Sequence, residues 1–316
     1  MNTTHQARRT CTMDYFKNWD EVIRSVKGAP GVKRVAVAAA GEEHTLEAVT
    51  RVMKDGLVDP LLVGDKAEIK KILGHLGVTV KEENIFDKPD FADSAAFAVQ
   101  LVREGKADFL MKGALDTSIL LKAVVNKETG LNVGKLMSHI SFLSIPKFHK
   151  IAIATDGGMI MYPTLEQKKE IIENAVGVLR NMGYAKPKVA VLAAVEKVNP
   201  KMPETVDADA LKQMNQKGEL TDCIVEGPIS MDLALNKSIS AIKKYDSPVA
   251  GDPDVLVFPN IQAGNIASKA LTEMAGATMA GLVVGARVPI VLTSRGSSSE
   301  EKYLSLVMGA ASAKKQ

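Results

Sequence analysis

The sequence predicts an α/β fold, with strands joined through helical crossovers into parallel sheet and enough chain for two such domains. Three observations predict it. Strand-length apolar runs alternate with stretches of helical length almost throughout. Hydrophobic residues make up 46% of the chain but aromatic residues only 4%, so the core has to be built mainly from Ala, Val, Leu, Ile and Met. Such a core suits parallel sheet covered by helices. At 316 residues the chain exceeds one small core and accommodates two α/β domains sharing a cleft.

Taken in order, Arg34 to Ala40 reads as a short buried strand ended by Gly41, and helix follows through Asp55. Pro60 to Gly64 is the next strand, with an amphipathic stretch from Lys66 to Leu76 behind it. A helix is expected over Ala92 to Glu104, a strand over Asp108 to Met111, and a helix from Thr117 to Val125. In the second half Lys150 to Ala154 and Lys188 to Leu192 read as strands. Between them lies the clearest helix. Thr164 and Gln167 stand three apart at its start, as in a capping box, Ile172, Val176 and Leu179 form its inner stripe, and Gly183 follows its end. Cys223 to Val225, Val255 to Phe258 and Pro289 to Leu292 complete the strands. Pro146 interrupts the pattern and marks a domain boundary between Ser144 and Lys150.

Composition narrows the function classes. The chain carries 40 basic and 37 acidic residues, a near-balance that argues against a nucleic-acid-binding face. Cys11 and Cys223 are far apart and the five histidines form no metal-type spacing, so no metal site is expected and a reduced, cytoplasmic setting is the simple reading. No segment reaches the ~20 apolar residues of a membrane helix, and the first residues lack the apolar run of a signal peptide. Residues 1–12, polar and basic ahead of Met13, are expected to be a disordered extension or the product of an upstream start codon.

The most informative segment for chemistry runs from Val291 to Lys302, where a strand, a Ser/Gly-rich loop and a helix start follow one another. Free N–H groups at a helix start, with the dipole behind them, make a natural anion site. Arg295 can grip a phosphate bidentately, and Ser294 can donate a hydrogen bond to a developing oxyanion. Gly296 and Ser297 complete the loop. The same stretch also reads as simple capping, because Ser298 and Glu301 have the S-x-x-E spacing of a capping box. Neither a Walker A motif nor a GxGxxG after a strand is present. Lys112, Gly113, Asp116 and Thr117 form a second strand-turn-helix corner, either a wall of a phosphate or acyl pocket or a plain turn with an Asp116 cap. Asn260, Gly264 and Asn265 form a third, and Ser230 with Asp232 a fourth, each readable as ligand contacts or as turn and cap.

Together these segments resemble the phosphate acetyl/butyryltransferase family. The resemblance rests on Ser247 to Gly251, Val255 to Asn260, Ala263 to Ile266 and Ser294 to Gly296 in that order. Met111 to Gly113 with Asp116-Thr117, Ser138 to Ser141, Tyr162 to Gln167 and Glu226 to Ser230 resemble the butyryl branch more than the acetyl one. The likeness covers nearly everything after Tyr15.

The resemblance implies two α/β domains with the site in the cleft between them, similar to isocitrate and isopropylmalate dehydrogenases. Residues 1–147 plus 286–316 would form one domain and 148–285 the other. It also implies reversible transfer of a short-chain acyl group between coenzyme A and inorganic phosphate, through a ternary complex. Coenzyme A is then a substrate, no cofactor is held permanently, and the protein is a homodimer or larger. A serine and arginine of the acetyl enzymes match Ser294 and Arg295, and their aspartate seven residues past the serine is replaced here by Glu301, longer by one methylene. In the direction consuming acyl phosphate, Glu301 would take the thiol proton, Ser294 would stabilise the oxyanion or orient the thiol, and Arg295 would bind the phosphate. Lys112, Gly113, Asp116, Thr117, Ser230, Asn260, Gly264, Asn265, Gly296 and Ser297 would bind substrate. An acetyl-preferring phosphotransacetylase and a non-catalytic binding module for acyl phosphate or coenzyme A are the alternatives.

Overall fold

The structure, a computed structural model, describes residues 15–294 and 296–314. The expectation for residues 1–12 lies outside this range, as do Cys11 and Arg295. The chain begins with α1 (Trp19–Lys27), β1 (Lys33–Ala38), α2 (Glu43–Lys54), β2 (Val58–Gly64), α3 (Lys66–His75), β3 (Ile85–Asp87), α4 (Phe91–Arg103), β4 (Phe109–Lys112) and α5 (Thr117–Val124). Next come β5 (Ser138–Ser144), β6 (Ile151–Thr155), α6 (Leu165–Asn181), β7 (Lys188–Leu192), α7 (Pro203–Gln216) and β8 (Ile224–Ile229). The short helices α8 (Met231–Leu235) and α9 (Lys237–Ile242) lead to β9 (Val255–Val257), α10 (Ile261–Ala275), β10 (Thr278–Val284), β11 (Ile290–Val291) and α11 (Ser299–Ser312).

Among the described residues the strands form one sheet, ordered β3-β2-β1-β4-β11-β10-β5-β6-β9-β7-β8. The expected parallel sheet is corrected at its centre. The first five strands are parallel, as are the last four, but β10 runs antiparallel to both β11 and β5, and β5 runs antiparallel to β6. Neither β5 nor β10 carries an uninterrupted apolar run, since His139, Ser141 and Gly281 interrupt them. The reversal has a consequence for function. It opens the C-terminal ends of β1, β4 and β11 at one edge of the sheet, and those of β6, β7, β8 and β9 at the opposite edge.

Alternate residues of the strands feed different cores. On one face a single cluster runs under both halves, joining Val37, Met111, Val291 and Leu282 to Phe142, Ile153 and Val189 beneath α2, α6 and α11. On the other face the buried residues divide. Ala36, Ala38, Leu110, Val283 and Ile290 pack under α4 and α5. Leu143, Ala154, Ala190 and Leu256 pack under α8 and α10. His139, Ser141 and Gly281 lie on this face between the two clusters.

The N-terminal ends of β6, β7 and β9 are tied by charge. Lys150, with its side chain 1% exposed, places Nζ 2.6 Å from Asp254 and 2.7 Å from Asp252, and Lys188 also pairs with Asp252. Burial works against ionisation of Asp252, but hydrogen bonds from Lys150 and Lys188 hold its pKa down at about 2. Cys223 is buried and unpaired, and burial pushes its thiol up to about 11, which makes it an inert core residue.

Candidate active site

The first corner of the site is set by close backbone approach. Gly113 donates its N–H to Ala38 O and Ala114 to Ala39 O, both at 2.8 Å, which draws the turn after β4 against the end of β1. A Cβ on Gly113 would lie 2.2 Å from Ala39 O, so only glycine fits. Gly113→Ala is expected to cost about 1–3 kcal/mol and to displace the turn, which a urea melt paired with an activity assay will read. Lys112, 5% exposed, curls Nζ back onto the carbonyls of Gly113 and Leu115 at 3.2 Å each. Asp116 occupies the N-cap position of α5 without capping it through its side chain, so the plain-cap reading does not describe it. Thr117 opens α5 and is exposed.

The second corner stands beside the first because β11 pairs in parallel with β4, Ile290 opposite Leu110 and Val291 opposite Met111. Ser294 is exposed three residues past β11. Its carbonyl accepts from Ser297 N–H at 3.1 Å and its hydroxyl oxygen from Gly296 N–H at 3.4 Å, which folds the loop back on itself. Ser298 caps α11 by accepting from Glu301 N–H at 3.2 Å. The carboxylate of Glu301 is hydrogen-bonded to Ser297, whose side chain is buried. In α6, by contrast, Thr164 and Gln167 complete both halves of a capping box. Burial pushes the Glu301 carboxyl above its ordinary value, while the Ser297 hydrogen bond and the positive charge of Lys302 work the other way. Lys302 itself turns to Glu42 at 3.2 Å. A carboxyl with raised pKa can exchange a proton with a substrate, and the helix start next to it favours negative charge.

The remaining expected residues are placed elsewhere. Asn260 caps α10 by accepting from Ala263 N–H at 3.1 Å. Gly264 lets α10 press on the loop after β6, where its Cβ would meet Asp156 O at 2.8 Å, and Asn265 donates to Gly157 O at 3.0 Å. These three therefore build a joint between α10 and residues 156–159. That loop returns over the sheet face, and Met159 packs on the cluster under α4 and α5. Ser230 is remote. Five strands separate β8 from β11, or roughly 30 Å at the usual spacing. There Ser230 donates to Glu196, and Lys243 bridges Glu196 and Asp232 at 3.2 Å each.

Asp156 and His139 carried no site reading in the sequence. Asp156, 2% exposed, accepts N–H bonds from His139, Gly158 and Met159, all at 2.8 Å. The available signal was an acidic residue and two glycines directly after a strand. Among the described residues, no group of three or more His, Cys, Asp or Glu is arranged to hold a metal ion, and no helix is long and apolar enough to cross a membrane.

Residues 87–310 match the family model described as phosphate acetyl/butaryl transferase. The chain belongs to this family. Family relatives include a phosphate butyryltransferase of Clostridium acetobutylicum, 41% identical over 93% of this chain and 98% of that one. A phosphate acetyltransferase of Thermotoga maritima is 42% identical over 88% of this chain and 94% of its own. Among solved structures, a branched-chain phosphotransacylase from Enterococcus faecalis V583 superposes with a TM-score of 0.79 at 33% identity, covering 90% of this chain and all of that one. A 4-hydroxythreonine-4-phosphate dehydrogenase from Klebsiella pneumoniae shares the fold alone, with a TM-score of 0.55 at 14% identity. The family is one of acyltransferases, and the Ser294 to Glu301 loop lies within the matched residues.

Proposed function

We propose that the chain transfers a short-chain acyl group reversibly between coenzyme A and inorganic phosphate, with butyryl and branched C4–C5 groups preferred. The observation that carries the reading is Glu301, a carboxyl raised by burial and hydrogen-bonded to Ser297, whose backbone N–H in turn donates to the carbonyl of the exposed Ser294. Phosphate oxygen attacks the thioester carbonyl carbon, and the carbonyl oxygen takes the negative charge. Ser294 donates to that oxyanion. The intermediate then expels sulfur as the C–S bond breaks, and protonated Glu301 returns a proton to it. In the opposite direction Glu301 removes the thiol proton, sulfur attacks the acyl phosphate, and phosphate leaves. Arg295 binds the phosphate in this scheme, with Lys112, Gly113, Asp116, Thr117, Gly296 and Ser297 around it.

The scheme uses two domains, residues 1–147 with 286–316 and residues 148–285, and a cleft between them. The divided core on one sheet face supports such a cleft over the central strands. Coenzyme A is a substrate here, with no permanent cofactor, and the enzyme is read as cytoplasmic and as a homodimer or larger. Acetyl preference is the second reading, favoured by the 42% identity to the Thermotoga maritima enzyme. One methylene in an apolar pocket is worth only ~1–3 kcal/mol, so both preferences fit one mechanism. Thiol release from acetyl-, butyryl- and isobutyryl-CoA, with and without phosphate, separates them. Faster release from the four-carbon thioesters is expected; a preference for acetyl-CoA would favour the second reading.

A further inference from the structure

The strip of sheet between the two clusters carries a histidine for which the fold makes room twice. A Cβ on Gly158 would lie 2.9 Å from His139 Cγ and 3.0 Å from Nδ1. A Cβ on Gly281 would lie 3.2 Å from His139 Nε2 and 3.5 Å from Leu292 O. Gly281 is buried, and its missing side chain lets the imidazole pack close to the strand end leading to Ser294. His139, Gly281, Leu292 and Lys112 alternate onto this face with Val283, Ile290 and Leu110, as the strand register requires.

The two ring nitrogens differ. Nδ1 is buried and has no hydrogen-bond partner among the described residues. The residue as a whole is partly exposed. Among the described residues Nδ1 is the ring nitrogen that is both buried and without a partner, so the accessible edge of this partly exposed residue is the one bearing Nε2. A buried N–H without an acceptor is rarer and costlier than a buried lone pair without a donor. The neutral ring therefore carries its proton on Nε2, at its accessible edge. Burial holds the ring neutral against the pull of the nearby Asp156 charge. Asp156 in turn fixes the His139 backbone through the N–H bond at 2.8 Å.

We infer that His139 is a catalytic hydrogen-bond donor, its Nε2–H directed at the carbonyl oxygen of the acyl group during transfer. A neutral donor set in place before reaction stabilises charge as it develops on that oxygen. The inference rests on the acyltransferase reading for the identity of the oxygen, while the tautomer and the accessible edge follow from the ring's surroundings alone.

Two measurements test it. In the first, nitrogen NMR of histidine-labelled protein identifies the His139 tautomer and follows it as butyryl-CoA is added. Protonation at Nε2 and a shift of that signal on ligand addition are expected. An Nδ1–H tautomer, or a signal unmoved at saturation, would overturn the inference whether or not the protein turns over substrate. In the second, kcat and KM are measured for H139A, H139N and H139Q. His139→Gln keeps a donor near the Nε2 position, His139→Asn moves it towards Nδ1, and His139→Ala removes it. H139A and H139N should lose about 10²-fold in kcat with KM little changed, and H139Q should recover most of it. Equal activity in all three would overturn the inference. Should wild-type protein show no phosphate-dependent release of coenzyme A, the proposed function fails, and the NMR result still decides the role of the ring.

Discussion

Glu301→Gln is expected to lower kcat by about 10²- to 10⁴-fold, the usual contribution of a positioned acid or base, and to leave KM and folding nearly intact. Gln preserves the carbonyl that accepts from Ser297 and the backbone N–H that Ser298 caps, so the loop keeps its shape. Only the exchangeable proton is lost. Because burial raises the Glu301 carboxyl, the rate in the direction of thiol attack should fall as pH drops through a value above the ordinary ~4.3 of glutamate. That limb should vanish in the variant. The stability consequence has a definite sign. A carboxyl whose folded pKa is raised is disfavoured in its charged form, so it weakens the fold as pH rises through that value. At neutral pH E301Q should therefore melt no lower than wild type. A variant that kept nearly full activity would remove Glu301 as the proton carrier and return it to the helix end.

Lys150→Met is expected to cost about 3–5 kcal/mol, because it leaves the carboxylates of Asp252 and Asp254 without the buried cation between them. The side chain of Asp254 is only 6% exposed, so water cannot take over. Denaturant unfolding followed by circular dichroism will report the loss. Acid should expose the same contact. Asp252 has its pKa depressed to about 2, so its stabilisation is present above the unfolded value of ~3.9 and is lost as pH falls through the folded one. Without Lys150 that depression shrinks, and the variant should unfold at a higher pH than wild type. Adding Asp254→Asn should recover part of the loss. No loss in the single variant would show that the cluster contributes nothing.

Elements with strong local signals were legible to within a residue or two. Lys188–Leu192 was read at its full extent, and Thr164 with Gln167 correctly opened α6. The centre of the sheet was not legible. In β5 the polar His139 and Ser141 face the strip between clusters, and in β10 Gly281 faces it too, so neither strand shows the apolar signature that marks its neighbours. The residues that hid these strands are the polar and small ones on the strip between the two clusters, where the apolar pattern of the neighbouring strands is broken. That the Ser294 loop stands beside the Gly113 turn was not legible in the local sequence, because it depends on β11 pairing with β4. The orientation of Glu301 could not be read, since S-x-x-E spacing is the same whether the carboxylate caps its helix or turns to Ser297. Ser230 illustrates the opposite limit. Its strand-end motif resembled the others, but the strand reversal puts β8 at the far end of the sheet, and only the strand order reveals that.

In the proposed function the segment from Ser294 to Glu301 moves an acyl group from sulfur to phosphate. Purified protein given butyryl-CoA and inorganic phosphate should form acyl phosphate, trapped with hydroxylamine, in amounts equal to the thiol released. Omission of phosphate should stop both. Binding of butyryl-CoA with no acyl phosphate formed would contradict the claim and leave a binding module in place of an enzyme.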